Sequence, residues 1–421
     1  MRSHQTIRAE STSPLARALG VFLGPAAAPV RSEQEVPEFA GVGMSPLFSL
    51  SPSSSLIKHL KREGYDHLRY FVALPSQRMP RWLLPVEDGS GMLPGTEIYL
   101  PHRWAPRMLK SMVIRMANLG YVSCLWPRVL LASKGPLRLE TLVHEVTGEP
   151  HPLFALSLGR RAPVRKLTIQ VMRPRAANNT NRGQGEKRYD LLGYIKLPLA
   201  DVAGERVRHE AATLERLWNF PSLRKHIPRL LYAGDWNDTY VLFQSPLQGD
   251  LGPTHLNGMH EKFLHLLWNA YRVERPGKTL IQKVGERWER IAPLLGGTWE
   301  ELGREALLRA TRVIGDKVLP FSVMHGDFAP WNTRVRDKEL LLFDWESADW
   351  EAPTTWDMSH FEVLTSSSLG KNSGHYTVDA ESGGTFFMLY LLNSVCQFFE
   401  EENHEAIRFR QRLLTEQFHQ S

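Results

Sequence analysis

The sequence has few cysteines and no long apolar run, and each absence excludes a class of protein. Its 421 residues contain only two cysteines, Cys124 and Cys396, each within an apolar stretch. These are too few for the disulfide framework of a small secreted domain, so we expect buried thiols in a reducing, cytoplasmic compartment. A membrane-spanning helix needs roughly 18 consecutive apolar residues. The most apolar segment, residues 385–399, is interrupted by polar side chains, and we expect no membrane span.

Charge is distributed unevenly along the chain. The net charge of +6 combines about +5 in residues 1–150, +8 in residues 151–246 and −7 in residues 247–421. A basic middle beside an acidic C-terminal part suits an anionic ligand held by one part and a metal ion or cationic group held by the other. Solvated charges on unrelated faces explain the same numbers, so charge alone does not decide the function.

Composition and periodicity divide the chain into four segments. Residues 1–54 are rich in Ser, Pro, Ala and Gly, which is typical of a disordered tail. Residues 55–150 alternate short helical and strand-like patterns and predict a small α/β module of unknown role. Residues 151–247 predict a β-rich lobe with one helix, and residues 248–421 predict a mainly helical lobe. The predicted fold class is therefore α+β, with a bilobal layout after residue 150.

One stretch, "VMHGDFAPWNTRVRDKELLLFDWESADW" from residue 323 to 350, concentrates polar side chains around a predicted hairpin. Phosphoryl transfer requires a carboxylate that orients the attacking hydroxyl and oxygen ligands that hold Mg²⁺. Asp327 lies in a loop after an apolar strand, which suits the first role. Asn332 and Asp344 suit the second, because the apolar run LLLF delivers Asp344 beside the loop.

This pattern, H-G-D-x-x-x-x-N followed by an apolar strand ending in D-x-E, resembles the aminoglycoside phosphotransferase and choline kinase-like superfamily. The resemblance covers residues from about 154 to 361. It implies a bilobal protein kinase-like fold with ATP and Mg²⁺ as cofactors. It also implies that His325 opens the catalytic loop, that Asp327 is the catalytic base, and that Asn332 and Asp344 bind the metal ion.

The β-rich lobe should then supply a lysine for the nucleotide phosphates and a glutamate that holds it. Lys196 ends a predicted strand in the corresponding place, and Glu210 lies on the following predicted helix. A buried ammonium group is costly without a carboxylate partner, which favours such a pair. Glu215 is the competing partner, but it lies half a turn out of phase on the same helix.

The sequence signal for the residues that contact the nucleotide is weaker than the signal for the catalytic loop. The loop after the first predicted strand of this lobe contains Ser157 and a single glycine, Gly159, so it is either a phosphate-binding loop or a plain surface turn. The connector between the lobes contains Gln244, Pro246 and Leu247, whose position makes them candidates for adenine binding.

Several residues near the motif have two interpretations. Asp357 corresponds to an aspartate that braces the catalytic loop in the resembling family. Glu346 either reaches the metal ion or faces solvent. Trp345, Trp350 and Trp356 either fill the core or stack on a sugar ring.

The motif predicts a kinase that transfers the γ-phosphate of ATP to a hydroxyl of a small molecule of the sugar, aminoglycoside or amino-alcohol class. A nucleotide-binding scaffold without catalysis is the alternative, supported by the glycine-poor loop. The isoelectric point near 9.2 also suits a nucleic-acid binder, as do the arginines at positions 160, 161, 165, 173 and 175, although no recognition motif accompanies them. The sequence does not indicate the acceptor or the oligomeric state.

Overall fold

The computed structural model divides the chain into two compact units. The first comprises Met1–Arg208 and Leu230–Pro246, and the second comprises His209–Arg229 and Leu247–Ser421. The structure describes residues 14–23, 28–29, 46–50, 52–76, 80–86, 94–101, 104–119, 126, 128–159, 163–175, 189–236, 239–353, 355–368 and 380–419.

The first unit is built on a ten-stranded sheet with the order β1-β2-β5-β3-β4-β6-β7-β8-β10-β9. β1 and β2 are parallel, and the other neighbouring pairs are antiparallel. The strands are β1 (Ala28–Pro29), β2 (Leu47–Leu50), β3 (His67–Leu74), β4 (Trp82–Val86), β5 (Arg128–Ser133), β6 (Leu153–Leu158), β7 (Lys166–Pro174), β8 (Tyr189–Pro198), β9 (Leu230–Trp236) and β10 (Thr239–Gln244). The helices are α1 (Pro14–Leu23), α2 (Ser54–Arg62), α3 (Trp104–Asn118), α4 (Arg138–Thr147) and the first part of α5 (Asp201–Trp218).

The sheet continues across the predicted division at residue 150. Strand β4 pairs with β6, with Trp82 opposite Ser157 and Leu83 opposite Leu156. The strands of the predicted α/β module and those of the predicted β-rich lobe therefore share one sheet and one apolar core. The division of the chain at residues 54 and 150 stays a prediction.

Part of the segment interpreted as a disordered tail is ordered. Residues Pro14–Leu23 form α1, whose Leu19 and Phe22 are buried against the core that contains Phe154. Apolar residues at helical spacing in PLARALGVFL give this helix a buried side. The Ser, Pro and Gly around it dominate the average composition of the segment and conceal the short periodic stretch.

The second unit is mainly helical, as predicted, and it also contains two three-stranded sheets with the orders β11-β14-β15 and β12-β13-β16. Its helices are the rest of α5, α6 (Gly258–Ala270), α7 (Gly277–Leu295), α8 (Gly297–Ile314), α9 (Trp356–Ser368), α10 (Ala380–Glu400) and α11 (His404–His419). Its strands are β11 (Asp250–Leu251), β12 (Arg272–Pro276), β13 (Val318–Met324), β14 (Thr333–Arg336), β15 (Glu339–Leu342) and β16 (Asp349–Pro353).

Helix α10 lies at the centre of the second unit. Its residues from Phe387 to Cys396 are almost all buried in the main apolar cluster, together with Trp288 of α7 and Ala306 of α8. A helix that is apolar on most of its circumference is typically surrounded by others. Burial of one such large side chain stabilises the fold by roughly 1.5–3 kcal/mol. Burial also raises the pKa of the Cys396 thiol to about 11, as expected for a structural cysteine; Cys124 lies outside the described residues.

The predicted α+β class is confirmed by this combination of a large antiparallel sheet and a helical unit. Within the described part of the chain, none of the helices has both the length and the apolar character required to cross a membrane.

Candidate active site

The predicted hairpin is present in the second unit. Strand β13 ends at Met324, the loop that begins at His325 follows, and β14 pairs with β15 in an antiparallel ladder. The two-residue turn between them, Asp337 and Lys338, has positive φ angles of 53° and 62°. These angles match a tight hairpin turn whose twist fits the flanking strands. The hairpin brings the chain back so that Asp344 follows β15 beside the loop.

Asp357, at the start of α9, holds the beginning of the loop. Its Oδ2 accepts a hydrogen bond from the His325 backbone N–H at 2.8 Å, and its Oδ1 accepts one from the Gly326 N–H at 3.1 Å. Burial is the largest influence on this carboxyl group and raises its pKa, and the two backbone donors act in the opposite direction. This geometry fits the bracing role that the family resemblance implies for Asp357.

The His325 ring connects the loop to the chain after β15. The Asp327 N–H donates to His325 Nδ1 at 3.2 Å, so Nε2 carries the proton and donates to the Phe343 carbonyl at 3.0 Å. Burial lowers the pKa of His325, which is consistent with this neutral form. Trp345 packs against the ring. His325 is therefore a buried structural link, and its ring does not point to solvent.

Asn332 fixes the carboxylate of Asp327. Its Nδ2 donates to Asp327 Oδ2 at 2.7 Å and to the Asp327 carbonyl at 2.8 Å. The Asn332 carbonyl accepts the Phe343 N–H at 3.1 Å, so both backbone groups of Phe343 are held by the loop. Since Phe343 directly precedes Asp344, these bonds place the loop and Asp344 side by side.

Asp344 belongs to a group of three carboxylates. It has the left-handed backbone conformation, with φ 72° and ψ 57°, an uncommon conformation for a residue other than glycine. Oxygens of Glu210, Asp344 and Glu346 lie within 4.8 Å of one another, a spacing at which they could hold a metal ion. His209, the neighbour of Glu210, contacts the Ala348 carbonyl at 2.7 Å and anchors this part of α5 to the segment between Asp344 and β16.

His360, which no sequence pattern had indicated, contacts the predicted base Asp327. His360 Nε2 lies 3.3 Å from Asp327 Oδ1, and the Tyr390 hydroxyl lies 3.2 Å from His360 Nδ1. One tautomer satisfies both contacts: Tyr390 donates to Nδ1 and Nε2 donates to the carboxylate. His360 is buried, whereas the Asp327 side chain is 34% exposed. Asp327 is thus held on both oxygens and still open to solvent.

The two residues of the predicted lysine–glutamate pair belong to different units. Lys196 lies in the first unit on β8, opposite Thr168 and Leu242, and is buried. Glu210 lies in the second unit and is fully buried, whereas Glu215 is exposed. Burial therefore favours Glu210 over Glu215 as the functional glutamate, and its pairing with Lys196 stays a prediction.

The predicted phosphate loop and connector lie at the ends of strands. Ser157 is in β6, and the Gly159 N–H donates to the Lys166 carbonyl at 3.3 Å, so the turn begins as a continuation of the β6–β7 ladder. Residues 160–162 lie outside the described residues. Gln244 ends β10 and is buried, and its Oε1 has no hydrogen-bond partner among the described residues. Pro246 and Leu247 follow, where the first unit ends and the second begins.

The structure also bears on the two interpretations of the tryptophans near the motif and on the arginines of the first unit. Trp345 and Trp356 are buried, as the core interpretation predicts, and Trp350 packs under the Arg216 guanidinium at 3.6 Å. Two of the arginines that suggested nucleic-acid binding, Arg173 and Arg175, both pair with Asp190.

Comparisons with known proteins identified similar structures only. No protein-family model matches the chain, and no curated protein sequence does. The GDP complex of aminoglycoside 2'-phosphotransferase-IIIa shares 16% identity, covers 66% of this chain and 97% of its own, and has a TM-score of 0.41. Spectinomycin phosphotransferase with ADP and spectinomycin shares 12% identity over 65% of this chain and 93% of its own, with a TM-score of 0.37.

Glucosamine kinase in complex with glucosamine, ADP and inorganic phosphate shares 12% identity, covers 63% of this chain and 85% of its own, and has a TM-score of 0.30. Aminoglycoside phosphotransferases, the group whose motif the sequence resembles, are thus among the structures similar to this chain. At these low identities and TM-scores, the roles of individual residues rest on the site geometry described above.

Proposed function

We propose that this protein is an ATP- and Mg²⁺-dependent phosphotransferase that moves the γ-phosphate to a hydroxyl of a small molecule of the sugar, aminoglycoside or amino-alcohol class. The observation that carries the proposal is the solvent-open carboxylate of Asp327, fixed by Asn332 directly beside Asp344. A transferase of this kind works by positioning and charge stabilisation, so it needs a fixed carboxylate next to oxygen ligands.

Asp327 would orient the acceptor hydroxyl and take its proton as the oxygen attacks phosphorus. Its Oδ2 is engaged by Asn332, and its Oδ1 faces His360 while the side chain stays partly exposed. Each carboxylate oxygen has two lone-pair sites, so these contacts leave room for a substrate hydroxyl. The fixed orientation removes rotational freedom that the base would otherwise lose in the transition state.

Asn332 and Asp344 would hold the Mg²⁺ ion. Because Asn332 uses its Nδ2 as a donor to Asp327, its amide oxygen is oriented away from that bond and is a suitable ligand. The carboxylate of Glu346 lies near Asp344 and extends the all-oxygen donor set that Mg²⁺ prefers. When bound, the ion would neutralise charge on the nucleotide phosphates.

The first unit would supply the remaining nucleotide contacts. Lys196 would bind the phosphates with Glu210 as its carboxylate partner, and the turn at Ser157 and Gly159 would cover them. The adenine base would lie at the connector formed by Gln244, Pro246 and Leu247. The buried Gln244 Oε1, which has no hydrogen-bond partner in the part of the chain that the structure describes, supports this assignment because an amino group could donate to it.

The first experiment is calorimetric titration of ATP with and without Mg²⁺ on the wild type and on Asp344→Ala. The proposal expects binding that requires both Mg²⁺ and Asp344. Asp316→Ala is the matched control, because Asp316 is an exposed carboxylate outside the site. Absence of ATP binding by the wild type would contradict the proposal.

The second experiment measures phosphate transfer to a panel of hydroxylated sugars, aminoglycosides and amino alcohols. Asp327→Asn should reduce turnover by orders of magnitude while nucleotide affinity stays close to that of the wild type. Strong turnover in this variant would exclude Asp327 as the base. Magnesium-dependent ATP binding without transfer to any acceptor would instead favour the scaffold alternative.

A further inference from the structure

The most apolar exposed surface of the described residues lies on helix α3 in the first unit. Five of the ten large apolar side chains that are exposed in the described residues belong to this helix and the residue after it. They are Trp104, Met108, Leu109, Met112 and Leu119, with exposures between 54% and 78%. Trp104, Met108 and Met112 are spaced by four residues, so they form one continuous stripe along the helix.

The opposite side of α3 is also apolar. Ala117 is buried in a cluster with Val72 and Met172, and Val113 packs against the same cluster. The helix thus uses one apolar side to attach to the sheet and leaves a second apolar side in solvent. A helix that is apolar on both sides is normally covered on both. Exposed apolar patches of roughly 300–600 Å² often mark a binding surface.

The charge of α3 is entirely positive. The helix contains Arg107, Lys110 and Arg115 and no acidic residue. Arg107 and Arg115 each follow a residue of the stripe, Trp104 and Met112, by three positions, so these two cations lie beside it. Arg107 Nε donates to the Pro101 carbonyl at 2.9 Å, whereas Lys110, on the other side of the helix, donates to the Tyr99 carbonyl at 2.7 Å. A partner for this surface must therefore be both apolar and negatively charged.

We propose that the exposed side of α3 binds an anionic lipid surface. Apolar side chains flanked by Lys and Arg are typical of helices that lie in the interface of a membrane, with the apolar side in the acyl region and the cations at the headgroups. Trp104, at the first turn, is the side chain that most prefers this boundary. Nucleic acid would satisfy the cations but offers little for the long apolar stripe.

The test measures sedimentation of the full-length protein with vesicles of phosphatidylcholine alone or mixed with phosphatidylglycerol. The wild type should bind the mixed vesicles, bind the neutral ones weakly, and lose affinity as salt is raised. The double variant Met108→Glu/Met112→Glu should bind the mixed vesicles about tenfold more weakly or worse. Leu308→Glu is the matched control and should bind as the wild type does, because Leu308 is as exposed as Met112 but lies on α8.

Three results would overturn the proposal. The wild type could fail to bind the mixed vesicles, or the double variant could bind as well as the wild type although circular dichroism shows that both are folded. The third result is a concentration-dependent dimer that the double variant abolishes, which would assign the surface to a second copy of the chain. None of these measurements requires nucleotide, so their outcome is independent of the proposed phosphotransferase activity.

Discussion

Gly326, between His325 and Asp327, cannot be replaced without moving the loop. Its φ angle is +80°, and a Cβ added at this position would collide with the Ser347 carbonyl oxygen. The left-handed conformation costs an alanine about 1–2 kcal/mol, and overpacking costs about 1–3 kcal/mol. Alanine also reduces the conformational entropy of the unfolded chain, which offsets the destabilisation by about 0.4–1 kcal/mol. Gly326→Ala should therefore destabilise the protein by about 1–5 kcal/mol.

The same change should reduce phosphate transfer more than it reduces the folded fraction. The collision involves a backbone atom, so the loop itself must shift and carry Asp327 with it. A displacement of about 1 Å at a catalytic group can cost roughly 100-fold in rate. Urea unfolding and turnover at saturating ATP measure the two effects separately.

Gly258→Ala serves as the control, because nothing lies within 4 Å of an added Cβ at the start of α6. This variant should be as stable as the wild type or slightly more stable. If Gly326→Ala matches the wild type in both stability and turnover, the loop is not constrained as described and the explanation of this glycine is wrong.

Two further predictions concern buried histidines. His360→Leu removes a donor to Asp327 and should lower kcat about tenfold with little change in the KM for ATP. His360→Gln keeps a donor and should recover part of the loss. Equal kcat in the wild type and both variants would show that the contact has no role. Burial lowers the pKa of His260 to about 4 from the ordinary 6.5, so the unfolded chain binds the proton more readily. The free energy of unfolding should then fall as pH decreases from 6.5 towards 4, by at most about 3 kcal/mol. His260→Phe should reduce this slope in urea titrations, and an unchanged slope would contradict the assignment.

Much of the β-rich lobe could be predicted because its signals are local. An unbroken apolar periodicity within a dozen or so residues predicts each of four elements: the strands β6, β7 and β8 and the helix α5. The hairpin could be predicted as well, because Asp327, Asn332 and the strand before Asp344 lie close together in sequence. The short helix α1 was missed because a composition argument averages over its neighbours.

The features that could not be predicted depend on distant parts of the chain. His360 is 33 residues from Asp327, and Tyr390 is another 30 residues further, so no local spacing connects them. Glu210 reaches the carboxylate group from a helix more than a hundred residues before Asp344. These contacts exist only because the helices pack around a common core, which a single sequence does not specify residue by residue.

The pairing of β4 with β6 has a consequence for the solubility of shortened forms of this protein. Strand β6 would be an edge strand if the chain began at residue 151, with the side that now faces Trp82 and Leu83 left open. Open edges with unpaired backbone groups recruit strands from other molecules and promote aggregation. The N-terminal strands therefore cover the edge of β6 and protect the sheet from pairing with other molecules. A fragment limited to the two predicted lobes would lack that protection.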